Sequence, residues 1–195
     1  MKFCSNCGAG VHFKIPNGDD RERHVCPDCD TIHYRNPNII AGCLPVYEDK
    51  VLLCRRAIEP RHGLWTLPAG FMENGESTEE GAQRECWEEA RAELELHGLY
   101  TMFSLPQISQ VYLLFKGELK HLEFGPGPES LEVDLFTESQ IPWDEIAFPV
   151  MKKTLRHYFS DMKIGHFPLR SEALYKPGSD RKMQFDGPVY KDSKK

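Results

Sequence analysis

Apolar residues fall in short runs along most of the chain, and helical spacing recurs in only two places. Ile39–Tyr47 and Val51–Ala57 are apolar runs separated by Glu48-Asp49-Lys50, the pattern of two strands joined by a tight turn. A loop, Glu59-Pro60-Arg61-His62-Gly63, leads to a short Leu64–Leu67 segment. Thr78 to about Arg91 reads as a helix: Ser77 is a good N-cap, and Glu80, three residues on, completes a capping box. Leu99–Leu105, Gln110–Lys120 and Leu131–Phe136 read as further strands, the last two separated by Gly125-Pro126-Gly127-Pro128. Met151, Leu155, Tyr158, Phe159 and Met162 recur at helical spacing and predict a second, core-facing helix. From Gly165 onward the pattern dissolves into an extended tail, and the chain shows no internal repeat.

Upstream of the first long run, four of the seven cysteines form two pairs, Cys4-Ser5-Asn6-Cys7 and Cys26-Pro27-Asp28-Cys29. This C-x2-C…C-x2-C spacing predicts a tetrathiolate zinc site, each loop turning two sulfurs toward one point. A redox pair is the alternative for either loop, and disulfides are disfavoured in a cytosolic chain. With every coordination position filled by protein, the zinc is expected to be structural. Asn36-Pro37 marks the end of this module, giving expected boundaries at 1–37 for a zinc module, 38–165 for the main domain and 166–195 for the tail. Cys43, Cys54 and Cys86 sit among apolar residues and read as small buried hydrophobes. His12, His24 and His33 read as surface or packing residues.

Composition narrows the setting. The chain has 195 residues, 40% apolar and 28% charged, which suits one α/β domain with a small appendage. Its longest apolar run is nine residues, too short to cross a bilayer, and the N-terminus lacks a signal-like apolar run, so a cytoplasmic protein is expected. The net charge of -6 argues against a partner of nucleic acid or anionic lipid. That charge is concentrated: nine Glu between Glu73 and Glu95 face only Arg84 and Arg91, so this window carries -7 and the remainder +1.

On the predicted helix, Glu85, Glu88 and Glu89 stand at i, i+3 and i+4 and share a face. Such a face needs solvent or a cation. Gly81 leaves it uncrowded, and Ala82, Cys86 and Ala90 on the neighbouring arc let the helix pack closely on a sheet. Hard divalent ions prefer oxygen ligands of this kind and bridge them to phosphates. Read in full, Gly70-x5-Glu76-x7-Arg84-Glu85-Cys86-x-Glu88-Glu89-x-Arg91-Ala92 resembles the Nudix box at every defined position but one. Arg91 stands where that family has the glycine that ends the helix, which implies either a strained residue or a longer helix.

The resemblance implies a Nudix fold, an α/β arrangement with a mixed sheet between helices, and a pyrophosphate hydrolase. It implies that Glu85, Glu88 and Glu89 hold Mg²⁺ or Mn²⁺ with the Gly70 carbonyl, while Arg84 and Glu76 brace them. A general base is expected from the later Glu129-Ser130-Leu131-Glu132, with Glu132 favoured over Glu129; Glu89 could itself serve. One of Arg55 and Arg56 is expected to meet substrate, since neighbours on a strand face opposite ways, and Trp65 is a further candidate contact. From the first cysteine pair to Glu132 the chain is most similar to the subgroup of the plant chloroplast FAD pyrophosphatase and its bacterial relatives. That implies a dinucleotide or nucleoside-diphosphate-X substrate, FAD or ADP-ribose, cleaved to release AMP. NADH pyrophosphatase is the second choice, because Ser104-Leu105-Pro106-Gln107 replaces the aromatic and proline-rich signature of that group. A nucleic-acid-binding ribbon on an inactive scaffold is disfavoured by the ribbon's zero net charge. A homodimer is possible.

Overall fold

The computed structural model describes residues 1–175 and separates into two compact units, Met1–Ile39 and the chain from Ile40 onward. The first unit is an antiparallel sheet of β1 (His12–Lys14), β2 (Arg23–Val25) and β3 (Ile32–His33). β1 is exposed along its length, and the unit's buried apolar side chains are Cys4, Pro16, Val25 and Cys26. So little apolar burial cannot offset the entropy of ordering the chain, so this unit needs a cross-link.

The second unit is built on a mixed sheet. The predicted hairpin appears as β4 (Asn38–Tyr47) and β5 (Lys50–Arg56), paired through Tyr47 and Lys50. β6 (Trp65–Thr66) pairs with β5 and β7 (Ala69–Phe71) with β4. After α1 (Thr78–Ala90), β8 (Leu94–Leu105) and β9 (Gln110–Leu119) form a long hairpin, then β10 (Ser130–Phe136) and α2 (Pro149–Met162) follow. The main path runs β10-β5-β4-β9-β8-β11, where β11 (Arg170–Ala173) adds in parallel to β8.

Strand alternation divides the core between the two faces. Val51 and Leu53 of β5 join Leu44, Phe103, Leu155 and Phe159 in the cluster that α2 covers. Leu52 and Cys54 join Ala41, Cys43, Ala82, Cys86 and Ala90 in the cluster that α1 covers. The three non-paired cysteines are thus packed as hydrophobes, each 0–1% exposed. The small side chains of α1 seat that helix close to the sheet, as its pattern predicts.

Three differences from the sequence reading have local causes. β8 starts at Leu94 because Leu94–Leu96 pair with Gly117–Leu119 of β9; the exposed Glu95 and His97 and the register shifts at His97 and Tyr100 blur its alternation. α1 ends at Ala90 with Arg91 in the left-handed conformation (φ 52°), its N–H donating to the Trp87 carbonyl at 2.9 Å. Part of the expected tail is the strand β11; residues 176–195 of that tail lie outside the described residues.

β11 is tied down by Asp161, a buried residue near the end of α2 that accepts from Tyr100 Oη at 2.7 Å and from the Arg170 guanidinium. Burial alone would raise the Asp161 carboxyl, but these hydrogen bonds outweigh it and hold the group below its ordinary range. A depressed carboxyl contributes stability at neutral pH that is lost as pH falls through its folded-state value. Asp161→Asn should therefore cost about 1–3 kcal/mol at pH 7, with the gap to wild type closing in acid. Urea unfolding followed by the fluorescence of Trp65, Trp87 and Trp143, all in the second unit, measures both.

Candidate active site

The box residues converge on one junction. Arg84 is its bracket: Nε and Nη2 donate to the two Glu76 oxygens at 2.9 and 2.8 Å, and Nη1 donates to Glu85 at 2.7 Å and Glu88 at 3.2 Å. Nη2 also reaches the Phe71 carbonyl of β7 at 3.2 Å, which ties the helix to the strand. The guanidinium, helped by the Glu73 N–H, holds the Glu76 carboxyl at about 2. Gly81 leaves room for this, since a β-carbon there would lie 2.7 Å from Glu76 Oε1.

Glu85 and Glu89 face into the fold and Glu88 toward solvent, with exposures of 12%, 6% and 54%. The Glu85 carboxylate lies against the backbone of Gly70, where a β-carbon would come within 2.4 Å of it, so only glycine admits that approach. Burial raises the Glu85 carboxyl despite Arg84. Glu89 is pushed up to about 8, first by burial and then by the charge of Glu85, against a single 3.3 Å hydrogen bond from the Ala69 N–H and the more distant charge of Arg56.

Glu129 joins this junction. Its charge raises both Glu85 and Glu89, and it lines the same cleft. Its loop is clamped onto the end of α1: the N–H groups of Gly125 and Gly127 donate to the carbonyls of Ala90 and Glu89 at 2.9 and 3.0 Å. Gly127 lies so close that a β-carbon would be 1.6 Å from the Glu88 carbonyl oxygen. Of the two later glutamates, then, Glu129 is brought to the junction and Glu132 is not. Glu132 sits on β10 beside Arg55 at 3.5 Å, both substantially exposed, and neither lines the cleft.

The cleft over the carboxylates measures about 1310 Å³. Arg56 lines it, nearly buried, with Nε donating to the Pro60 carbonyl at 2.9 Å and its guanidinium 5.3 Å over the Phe148 ring. Strand alternation has thus sent one arginine of the pair in and one out. Trp65 is not a cleft residue: it is 7% exposed, packed edge-on against Phe136 in the α2-side core. Tyr112 and Phe148 line the cleft and were missed, because each reads from sequence as an ordinary core aromatic.

The donor set fits a hard divalent cation. Arg56, Arg61, Arg84, Arg91 and Lys153 line the same cleft as Glu85, Glu88, Glu89 and Glu129, but among the described residues only Arg84 forms an ion pair with any of these carboxylates, and it is largely engaged by Glu76. The buried Glu89 in particular has no cationic side chain in contact with it among the described residues. The Cys4, Cys7, Cys26 and Cys29 sulfurs lie within 4.8 Å of one another, with contacts of 3.7 Å (Cys4–Cys29) and 3.4 Å (Cys7–Cys26). A tetrahedron with zinc–sulfur bonds of 2.3 Å has edges of about 3.8 Å, so these four fit one soft ion. Thr31, through its hydroxyl and N–H, and the Asn6 amide lower Cys29 to about 6, whereas Cys7 is pushed up to about 12, the Ala9 N–H that lowers it being outweighed by hydrogen bonds with Cys26 and Cys29.

A NUDIX domain model matches residues 37–158, and a Nudix N-terminal zinc-ribbon model matches residues 2–35. The chain belongs to the Nudix family. It is similar to the crystal structure of a NUDIX hydrolase from Nitrosomonas europaea, with 53% identity, a TM-score of 0.88, and coverage of 90% of this chain and 100% of that one. Among curated relatives, an NAD-capped RNA hydrolase NudC of Edwardsiella ictaluri is 28% identical over 72% of this chain and 53% of its own length. An ADP-ribose pyrophosphatase of Methanocaldococcus jannaschii is 30% identical over 56% of this chain and 67% of its own. The chain therefore spans about half the length of the NudC relative.

Two outcomes follow for this Nudix chain. Gly127→Ala should force the loop off the helix end and cost about 1–3 kcal/mol, read by urea unfolding. Stripping metal from the cysteine cluster with a strong chelator should abolish the amide dispersion of residues 4–33 in NMR while the second unit's tryptophan signal persists; an unchanged ribbon spectrum would mean that the sulfurs hold no ion.

Proposed function

We propose that this protein is a divalent-metal-dependent pyrophosphatase acting on a nucleoside diphosphate linked to a second moiety, FAD or ADP-ribose, with AMP as one product. The observation that carries the reading is the carboxylate cluster of Glu85, Glu88 and Glu89 beneath a cleft large enough for a dinucleotide. Glu85, Glu88 and Glu89, with the Gly70 carbonyl, are the groups that would hold Mg²⁺ or Mn²⁺. Such ions neutralise the diphosphate and acidify water that attacks phosphorus. The four cysteines of the ribbon would hold a structural zinc.

The chain's own residues divide the remaining work. Arg84 fixes the carboxylates on a rigid helix, so that little reorganisation is needed when charge develops. Arg56 offers its free Nη donors to a phosphate oxygen. Glu129 accepts the proton from the attacking water. As the water oxygen bonds to phosphorus, the bridging P–O bond breaks and its electrons stay on the leaving phosphate. A carboxylate in this position contributes about 10²–10⁴-fold.

The names of the curated relatives widen the substrates worth testing to NAD-linked ones, including NAD-capped RNA. Purified protein with Mg²⁺ should be incubated with FAD, ADP-ribose, NADH, an NAD-capped oligonucleotide and a nucleoside triphosphate, and the products separated. AMP from FAD or ADP-ribose is expected, reduced about 10²-fold or more in Glu129→Gln and abolished in a Glu88→Gln, Glu89→Gln double variant. Faster cleavage of an NAD-linked substrate would move the assignment there, and no cleavage by folded, zinc-loaded protein would overturn it.

A further inference from the structure

The cleft has a second chemistry besides its carboxylates. The register that pairs Ala173 with Ser104 puts Leu174 next to Leu105, and the Leu174 N–H donates to the Ser104 carbonyl at 2.9 Å. Leu105, Ile108, Leu174 and Tyr175 are thereby gathered near the turn between β8 and β9, and with Tyr112 they line the cleft. Gln107 and Gln110 are the polar side chains contributed by that turn. Leu174 and Tyr175 lie beyond residues 37–158, the segment that carries the family pattern. They are delivered by β11, which is held by parallel pairing to β8, by Arg170 on Asp161 and by Glu172 on Lys153.

The apolar faces of this wall offer a sugar or a phosphate little in exchange for its water, because the polar partners there are confined to the glutamine amides and the two phenol groups. The wall suits a flat heteroaromatic ring, whose faces can stack on apolar and phenolic surface while its edge meets the glutamine amides. The carboxylate end and Arg56 suit the diphosphate of the same molecule. We propose that Tyr112, Ile108, Leu174 and Tyr175 form a ring subsite, and that the β11 segment is a specificity element selecting ring-bearing diphosphate substrates. This rests on the pyrophosphatase reading above. The ring is the purine of the AMP half or the ring of the other half, and the two are separated by experiment.

The test uses the full chain as Tyr175→Ala, Tyr175→Phe and Ile108→Ser, with Ile108 chosen because it lines the cleft from the β8–β9 turn and is half-exposed, so that its loss spares the core. Binding of AMP, FMN, ribose 5-phosphate and inorganic pyrophosphate is measured by calorimetry in Mg²⁺, alongside KM and kcat. Loss of one stacking partner should weaken a ring-bearing ligand about ten-fold. Tyr175→Ala and Ile108→Ser should do so and raise KM with kcat nearly unchanged, while Tyr175→Phe retains wild-type binding and the ringless ligands are unaffected. Weakening confined to AMP or to FMN identifies which half occupies the wall. An equal loss for ribose 5-phosphate or pyrophosphate, no loss for either ring ligand, or no ring-ligand binding by wild type overturns the subsite. If wild type cleaves no substrate yet binds a ring ligand that the variants lose, the pyrophosphatase reading fails and the subsite stands.

Discussion

The carboxylate of Glu89 is buried where α1, β7 and the Gly125–Glu129 loop meet, and much of the local structure follows from keeping it there. A carboxylate moved from water into the fold strongly favours its neutral form unless a positive partner arrives with it. Here the direct partner is one backbone N–H, and the group is pushed up to about 8. The small residues Ala82, Cys86 and Ala90 bring the helix close enough to bury it. Arg84, the obvious counter-charge, is directed instead to Glu76, Glu85 and Glu88. That division leaves a deficit of positive charge in one spot, which a bound cation would relieve.

Ending the helix is the second constraint, because its last carbonyls lie beside that carboxylate. The family places glycine where this chain has Arg91, and a left-handed non-glycine residue costs roughly 1–2 kcal/mol. Arg91 accepts the strained conformation, with its guanidinium 5.6 Å over the Trp87 ring. The neighbouring loop supplies the capping donors from Gly125 and Gly127. The strain stays at Arg91, and Gly127 serves the helix end by its missing β-carbon rather than by conformational freedom. The same contact brings Glu129 to the carboxylates, so helix capping and placement of the fourth carboxylate are one structural event.

The elements most legible in the sequence were those whose signal is local. Cysteine spacing, the Ser77–Glu80 capping box and the i, i+3, i+4 glutamates each specify a geometry within a few residues. Alternation also announced that Arg55 and Arg56 would part company, though not which would enter the cleft. The less legible features depend on partners distant in the chain. Glu129 and Glu132 are both carboxylates near a strand start, and only the clamp of Gly127 on α1 separates them. Trp65 is indistinguishable in sequence from a cleft aromatic, yet the sheet carries it into the core against Phe136. β11 has one apolar residue in four, so its strand character comes from the free edge of β8 and the Arg170–Asp161 tie.

The two donor clusters differ in how much of their binding capacity the protein itself completes. In the ribbon, four sulfurs close a tetrahedron and leave no position for another ligand, while the surrounding sheet buries too little to be stable alone. An ion there would substitute for a missing core. In the larger unit the core is ample, and the carboxylates are graded from the buried Glu89 to the half-exposed Glu88 beside open cleft. An ion there would anchor on the buried oxygens and keep its outer positions for water or phosphate. Burial of the donors and size of the core together separate a structural ion from a reacting one, before any ligand is seen.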